Sequence, residues 1–130
     1  MSTTQVRRLA LSAGEIDCGI LGSGPPVVFL PPLLASSRHW RKVLPIVAGA
    51  GFQCVAPTLP LGAHHHAMRT GADVTPPAVA ELVAELLSQL NLGPVTLVGN
   101  DSGGALAQIV AARHPEIIDR LVSIIGQRPG

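Results

Sequence analysis

Apolar residues in this chain fall into short continuous runs separated by glycine- and proline-rich breaks, with one long periodic stretch between them. Val27–Leu30, Gln53–Ala56 and Val95–Val98 are such runs. They predict strands buried on both faces of a mostly parallel sheet. Leu121–Ile125 predicts a last strand. Near the start, Glu15–Leu21 reads as a short strand after a turn at Ala13-Gly14, and Arg7–Ser12 pairs with it as a hairpin. Gly22-Ser23-Gly24-Pro25-Pro26 is a clear break.

The periodic stretch lies between the second and third runs. Val79, Leu82, Val83, Leu86, Leu87 and Leu90 recur at helical spacing and form one apolar stripe. Thr75 is placed to cap that helix, with Pro76 and Pro77 in its first turn, where a missing N–H costs least. Asn91-Leu92-Gly93-Pro94 stops it. A helix capped at Ser36 or Ser37 is expected to carry Trp40, Val43, Leu44 and Val47 inward, with His39 as packing or surface. Pro45 should kink it, and Gly49–Gly51 should end it. A third helix is expected over Ala105–Arg113, closed by His114-Pro115, and Leu59–Asp73 reads as a long loop. Strands alternating with helices predict an α/β sandwich with a mostly parallel sheet and helices on both faces.

Composition narrows the class without changing that picture. With 130 residues, 47% of them apolar, the chain can bury a core as one domain, residues 1–130. A net charge of +1 with no basic run offers nothing to nucleic acid. No apolar run is long enough for a membrane span, and the first residues lack the pattern of a secretory leader. Cys18 and Cys54 have neither metal-ligand spacing nor disulfide density, so reduced thiols and a cytoplasmic location are the expectation. His64-His65-His66 reads as a solvated loop, because adjacent histidines on an extended chain cannot converge on one metal.

The chemistry concentrates where the third buried strand ends. Gly99-Asn100-Asp101-Ser102-Gly103-Gly104 passes from strand to helix with almost no connecting loop. A residue at the apex of such a turn is lifted above the sheet, and small residues two positions to either side let strand and helix approach. Centring on Asp101 places Gly99 and Gly103 at those positions. Centring on Ser102 places Asn100 there, a poorer fit. A plain helix N-cap at Asp101 is the competing structural reading.

The hexamer is similar to the Gly-x-Asp-x-Gly and Gly-x-Ser-x-Gly elbows of α/β-hydrolases. The rest of the chain resembles that family in order. GSGPPVVFLPP resembles its glycine loop, strand and oxyanion loop, SSRHW its first helix, VAPTLP its turn after the next strand, and ARHPEIIDRLVSI the passage from elbow helix to strand. The chain is thereby identified as a member, as the N-terminal part of an α/β-hydrolase that lacks the C-terminal strands and the cap. The Asp-nucleophile branch, haloalkane dehalogenases and epoxide hydrolases, is the branch it looks like.

The resemblance implies that Asp101 attacks an electrophilic carbon to give an ester, which a histidine-activated water then hydrolyses. A carboxylate is ionised at neutral pH and needs no base for the first step. The backbone N–H groups of Ser102 and Leu33 would hold the oxyanion. The substrate would be a small molecule with an ester, epoxide or carbon–halogen bond, and no cofactor or metal is implied.

Pro31-Pro32 replaces the usual His-Gly, and Thr58 stands where the family usually has Asp. Leu33 and Ser102 occupy positions where dehalogenases carry Asn and Trp, and the chain has no tyrosine, the residue with which epoxide hydrolases protonate the opening ring from the cap, so the resemblance ranks neither reaction first. His114 is the one histidine after Asp101. A helix between them would set them about 15–20 Å apart, at about 1.5 Å per residue. The catalytic base and acid are therefore expected to lie outside this chain. Two other readings stay open: a truncated, non-catalytic relative or partner-binding fragment, and an esterase using Ser102. An unpaired sheet edge at the last strand would also favour self-association.

Overall fold

A computed structural model describes residues 4–32, 37–59 and 75–124. Strands β1 (Gln5–Leu11) and β2 (Gly14–Leu21) form the expected hairpin, with Leu11 paired to Gly14 across the turn. The buried runs become β3 (Pro26–Leu30), β4 (Gln53–Pro57) and β5 (Val95–Asn100), and β6 (Ile118–Ile124) closes the order. Across the sheet the strands lie β1-β2-β4-β3-β5-β6. The last four are parallel to one another, while β2 meets β4 antiparallel.

Side chains alternate across this sheet and divide the core in two. Val28, Leu30, Val55, Val95 and Leu97 face α2 (Pro76–Leu90) and α3 (Ser102–Arg113), where Val79, Val83, Leu86, Leu106 and Val110 cover them. Val27, Phe29, Cys54, Ala56 and Val98 face the other way, against Trp40 and Leu44. Helices thus flank both faces, as the alternating pattern requires.

The α2 stripe is buried as its spacing predicts, with Leu90 half-buried, and the helix ends on a left-handed Asn91 at φ 52°. Glu85 ties α2 to the hairpin by accepting from the Ser12 amide at 2.7 Å, and Gln89 donates to the Ala10 carbonyl at 2.8 Å.

Three expectations are corrected. The first helix is not one kinked rod. A 3-10 turn (Ser37–Trp40) is followed by a separate α1 (Val43–Gly49). Pro45 falls in the first turn of α1, where no N–H is required of it, so it breaks no ladder. Val43 points outward, 38% exposed. Next, α3 begins at Ser102 rather than Ala105, because Gly103 and Gly104 serve as its close-packed first turn. Finally, β6 begins three residues earlier than expected. It carries a register shift between Val95 and Thr96, with Ile118 and Arg120 as their partners and Asp119 as the extra residue.

Candidate active site

The sequence hexamer folds as a strand–turn–helix in which nothing but Asp101 separates β5 from α3. Asp101 holds φ 53° and ψ −117°, one of two positive-φ non-glycine residues among those described. A side chain at such angles costs about 1–3 kcal/mol and persists only where the surroundings over-determine it. Those surroundings are visible. The Asp101 amide donates to the Ile124 carbonyl at 3.0 Å, and its own carbonyl accepts from Gly104 at 2.9 Å and Ala105 at 3.1 Å.

The glycines are needed for close approach. A Cβ on Gly99 would run into the Gly103 backbone. On Gly103 it would stand 2.5 Å from the Leu30 carbonyl oxygen, and on Gly104 it would stand 2.6 Å from Ser123 Oγ. The turn is therefore wedged between the ends of β3 and β6, on the carboxyl side of the parallel strands, where open α/β sheets place their ligands.

An ordinary N-cap has extended backbone and a side-chain bond to the first turn. Asp101 has neither the extended angles nor a capping bond. Its side chain is exposed at the apex, and Ser102 follows as the first residue of α3, with its N–H at the positive end of the helix. The Ser102 side chain is likewise exposed, but on regular helical backbone. Leu33 and the His64–His66 run lie outside the described residues. Thr58 is buried, and its amide donates to the Asp17 carbonyl at 2.9 Å.

His114 sits at the far end of α3, as expected. Its Nε2 lies 2.8 Å from Glu81 Oε2, and Arg113 also donates to Glu81, at 3.1 Å. These contacts hold the Glu81 carboxyl below its ordinary pKa. The cluster joins α2 to α3 away from the turn.

Sequence reasoning missed a contact beside the apex. Asn100 Nδ2 stands 3.1 Å from His39 Nε2. By sequence His39 reads as packing or surface, and Asn100 counts only against centring the motif on Ser102. They lie 61 residues apart in the chain, and no local spacing links them. Among the described residues no group of three or more His, Cys, Asp or Glu could hold a metal. No helix among them is long and apolar enough to cross a membrane.

The sheet order, the flanking helices and the strained strand–helix turn define a partial α/β-hydrolase sandwich. Residues 25–128 match the family described as alpha/beta hydrolase fold, and this chain belongs to that family. It is 36% identical over 110 residues to a soluble epoxide hydrolase of Corynebacterium sp. strain C12, covering 84% of this chain and 37% of that one. It is 31% identical over 125 residues to an sn-1-specific diacylglycerol lipase of Xenopus laevis, covering 95% and 38% respectively. Among solved structures, an epoxide hydrolase from Vigna radiata superposes with a TM-score of 0.85 at 23% identity, over 92% of this chain and 39% of that one. The chain thus spans well under half the length of these relatives.

Proposed function

We propose that this chain carries the nucleophile of an α/β-hydrolase-type hydrolase, that Asp101 is that nucleophile, and that an epoxide is the favoured substrate class. The observation that carries the reading is the positive-φ backbone of Asp101 at the β5–α3 junction. A strained non-glycine residue at an exposed apex points to function, because packing alone would have been served better by glycine. The likeness to an epoxide hydrolase supports the substrate class.

In the first half-reaction an Asp101 carboxylate oxygen forms a bond to an epoxide carbon. The ring C–O bond breaks, and the alkoxide takes a proton from solvent or an acid. The product is an ester of Asp101. Water then attacks the ester carbonyl, releasing a diol and restoring the carboxylate. The Ser102 N–H, at the helix N-terminus, would stabilise the oxyanion of that second step. The second step needs a base, which we assign to a segment outside this chain. The chain taken alone would then accumulate the ester. Ser102 as nucleophile is the less favoured reading, because it sits on regular helical backbone one residue past the apex.

The test is incubation of the purified chain with styrene oxide, followed by intact mass and peptide mapping. One adduct is expected, on Asp101, and none in Asp101→Asn. An adduct confined to other residues, or no adduct on a folded chain, would overturn the assignment.

A further inference from the structure

We infer that His39 is a positioning residue for Asp101, acting through the side chain of Asn100; the inference rests on the reading of Asp101 as nucleophile. Asn100 is the last residue of β5 and points to the α1 side of the sheet, like Val98 two residues before it. There its Nδ2 meets His39 Nε2 at 3.1 Å, while its Oδ1 is buried without a partner among the described residues. Turning the carboxamide over would give Oδ1 to the imidazole and bury the NH2 group instead. Orphaned buried N–H groups are rarer in proteins than under-satisfied carbonyl oxygens. Asn100 therefore donates and His39 Nε2 accepts, an arrangement that uses the imidazole tautomer with its proton on Nδ1.

His39 is anchored independently of β5. Its ring stands edge-on to Trp40 at 4.9 Å and 89°, and Trp40 packs on Phe29 of β3 at 5.1 Å. The hydrogen bond thus ties the end of β5 to the 3-10 turn through an aromatic stack resting on β3.

That tie falls where the strain of Asp101 would otherwise escape. The peptide between Asn100 and Asp101 rotates as a plate, changing ψ of the first and φ of the second together. A flip of that plate would carry Asp101 out of positive φ without moving the helix. Two bonds oppose it. The plate's own N–H is held by Ile124, and the Asn100 side chain is held by His39. Removing the second leaves the carboxylate attached but less well aimed, and small misplacements of a reacting group are costly in rate.

The experiment uses the full chain, its His39→Ala and His39→Gln variants, and styrene oxide as probe. Gln is chosen because its terminal carboxamide oxygen can accept from Asn100. Labelling of Asp101 is followed by intact mass over a range of probe concentrations. The expected result in His39→Ala is a rate constant at saturation about tenfold lower, with half-saturation unchanged. The melting temperature should stay within about 2 °C of the unaltered chain. His39→Gln should recover most of the rate. Native-rate labelling in His39→Ala, or His39→Gln no better than His39→Ala, would overturn the inference. A second readout is hydrogen exchange of the Asp101 amide by NMR, expected to be about tenfold faster in His39→Ala and restored in His39→Gln. Unchanged exchange would overturn the inference whatever the labelling. If the unaltered chain takes no label, the nucleophile reading falls, and the amide exchange alone decides the His39 link.

Discussion

Gly103 in the first turn of α3 lies so close to the end of β3 that a Cβ on it would stand 2.5 Å from the Leu30 carbonyl oxygen and 2.6 Å from that of Pro31. Neither neighbour is the movable tip of a side chain. Gly103→Ala should therefore destabilise the fold by about 1–3 kcal/mol, the usual range for overpacking a tight site. Gly49, where an added Cβ would meet nothing within 4 Å, is the control. Gly49→Ala should be neutral or stabilise by less than about 1 kcal/mol. Urea unfolding of the two variants checks the contrast.

Asp101 is expected to trade stability for chemistry. Its φ of 53° and ψ of −117° suit glycine far better than any side chain. Asp101→Gly should raise unfolding stability by about 1 kcal/mol while abolishing covalent labelling. A variant that loses both would mean that the carboxylate holds the turn together.

The Glu81 cluster makes the α2–α3 packing sensitive to acid. Hydrogen bonds from His114 and Arg113 lower the Glu81 pKa in the folded chain. A lowered carboxyl pKa gives stability that is complete above the unfolded value, about 4.3. That stability is lost as pH falls through this value toward the lower folded one. The melting-temperature gap between the unaltered chain and Glu81→Gln should therefore be largest near neutrality and close in acid. A gap equal at both ends would remove Glu81 from the account.

Burial pushes the Cys18 thiol up to about 12 and raises that of Cys54. Because the thiolate is the reactive form, neither cysteine should react with Ellman's reagent in the native chain, and both should react after unfolding. Rapid native labelling of Cys18 would contradict its burial in the core.

Much of the architecture is legible in the residues alone, because it rests on local rules. A run such as Val95–Val98 is apolar at nearly every position only when both faces are covered. The spacing from Val79 to Leu90 admits one helical face, and Gly99 and Gly103 flank Asp101 at the separation a tight turn needs. Local rules do not reach across the chain. They place Pro45 in a kinked helix, because they cannot know that a 3-10 turn comes first and leaves the proline in an opening turn. Nor can they supply the backbone angles of Asp101, which depend on a carbonyl at Ile124 and on the close approach of Leu30. The pairing of His39 with Asn100 lies equally out of reach, since only the sheet brings residues 61 apart to 3.1 Å. Sequence by itself determined which residue sits at the apex. The tertiary structure decided how that residue is held, because strain is stable only where distant parts of the chain close around it.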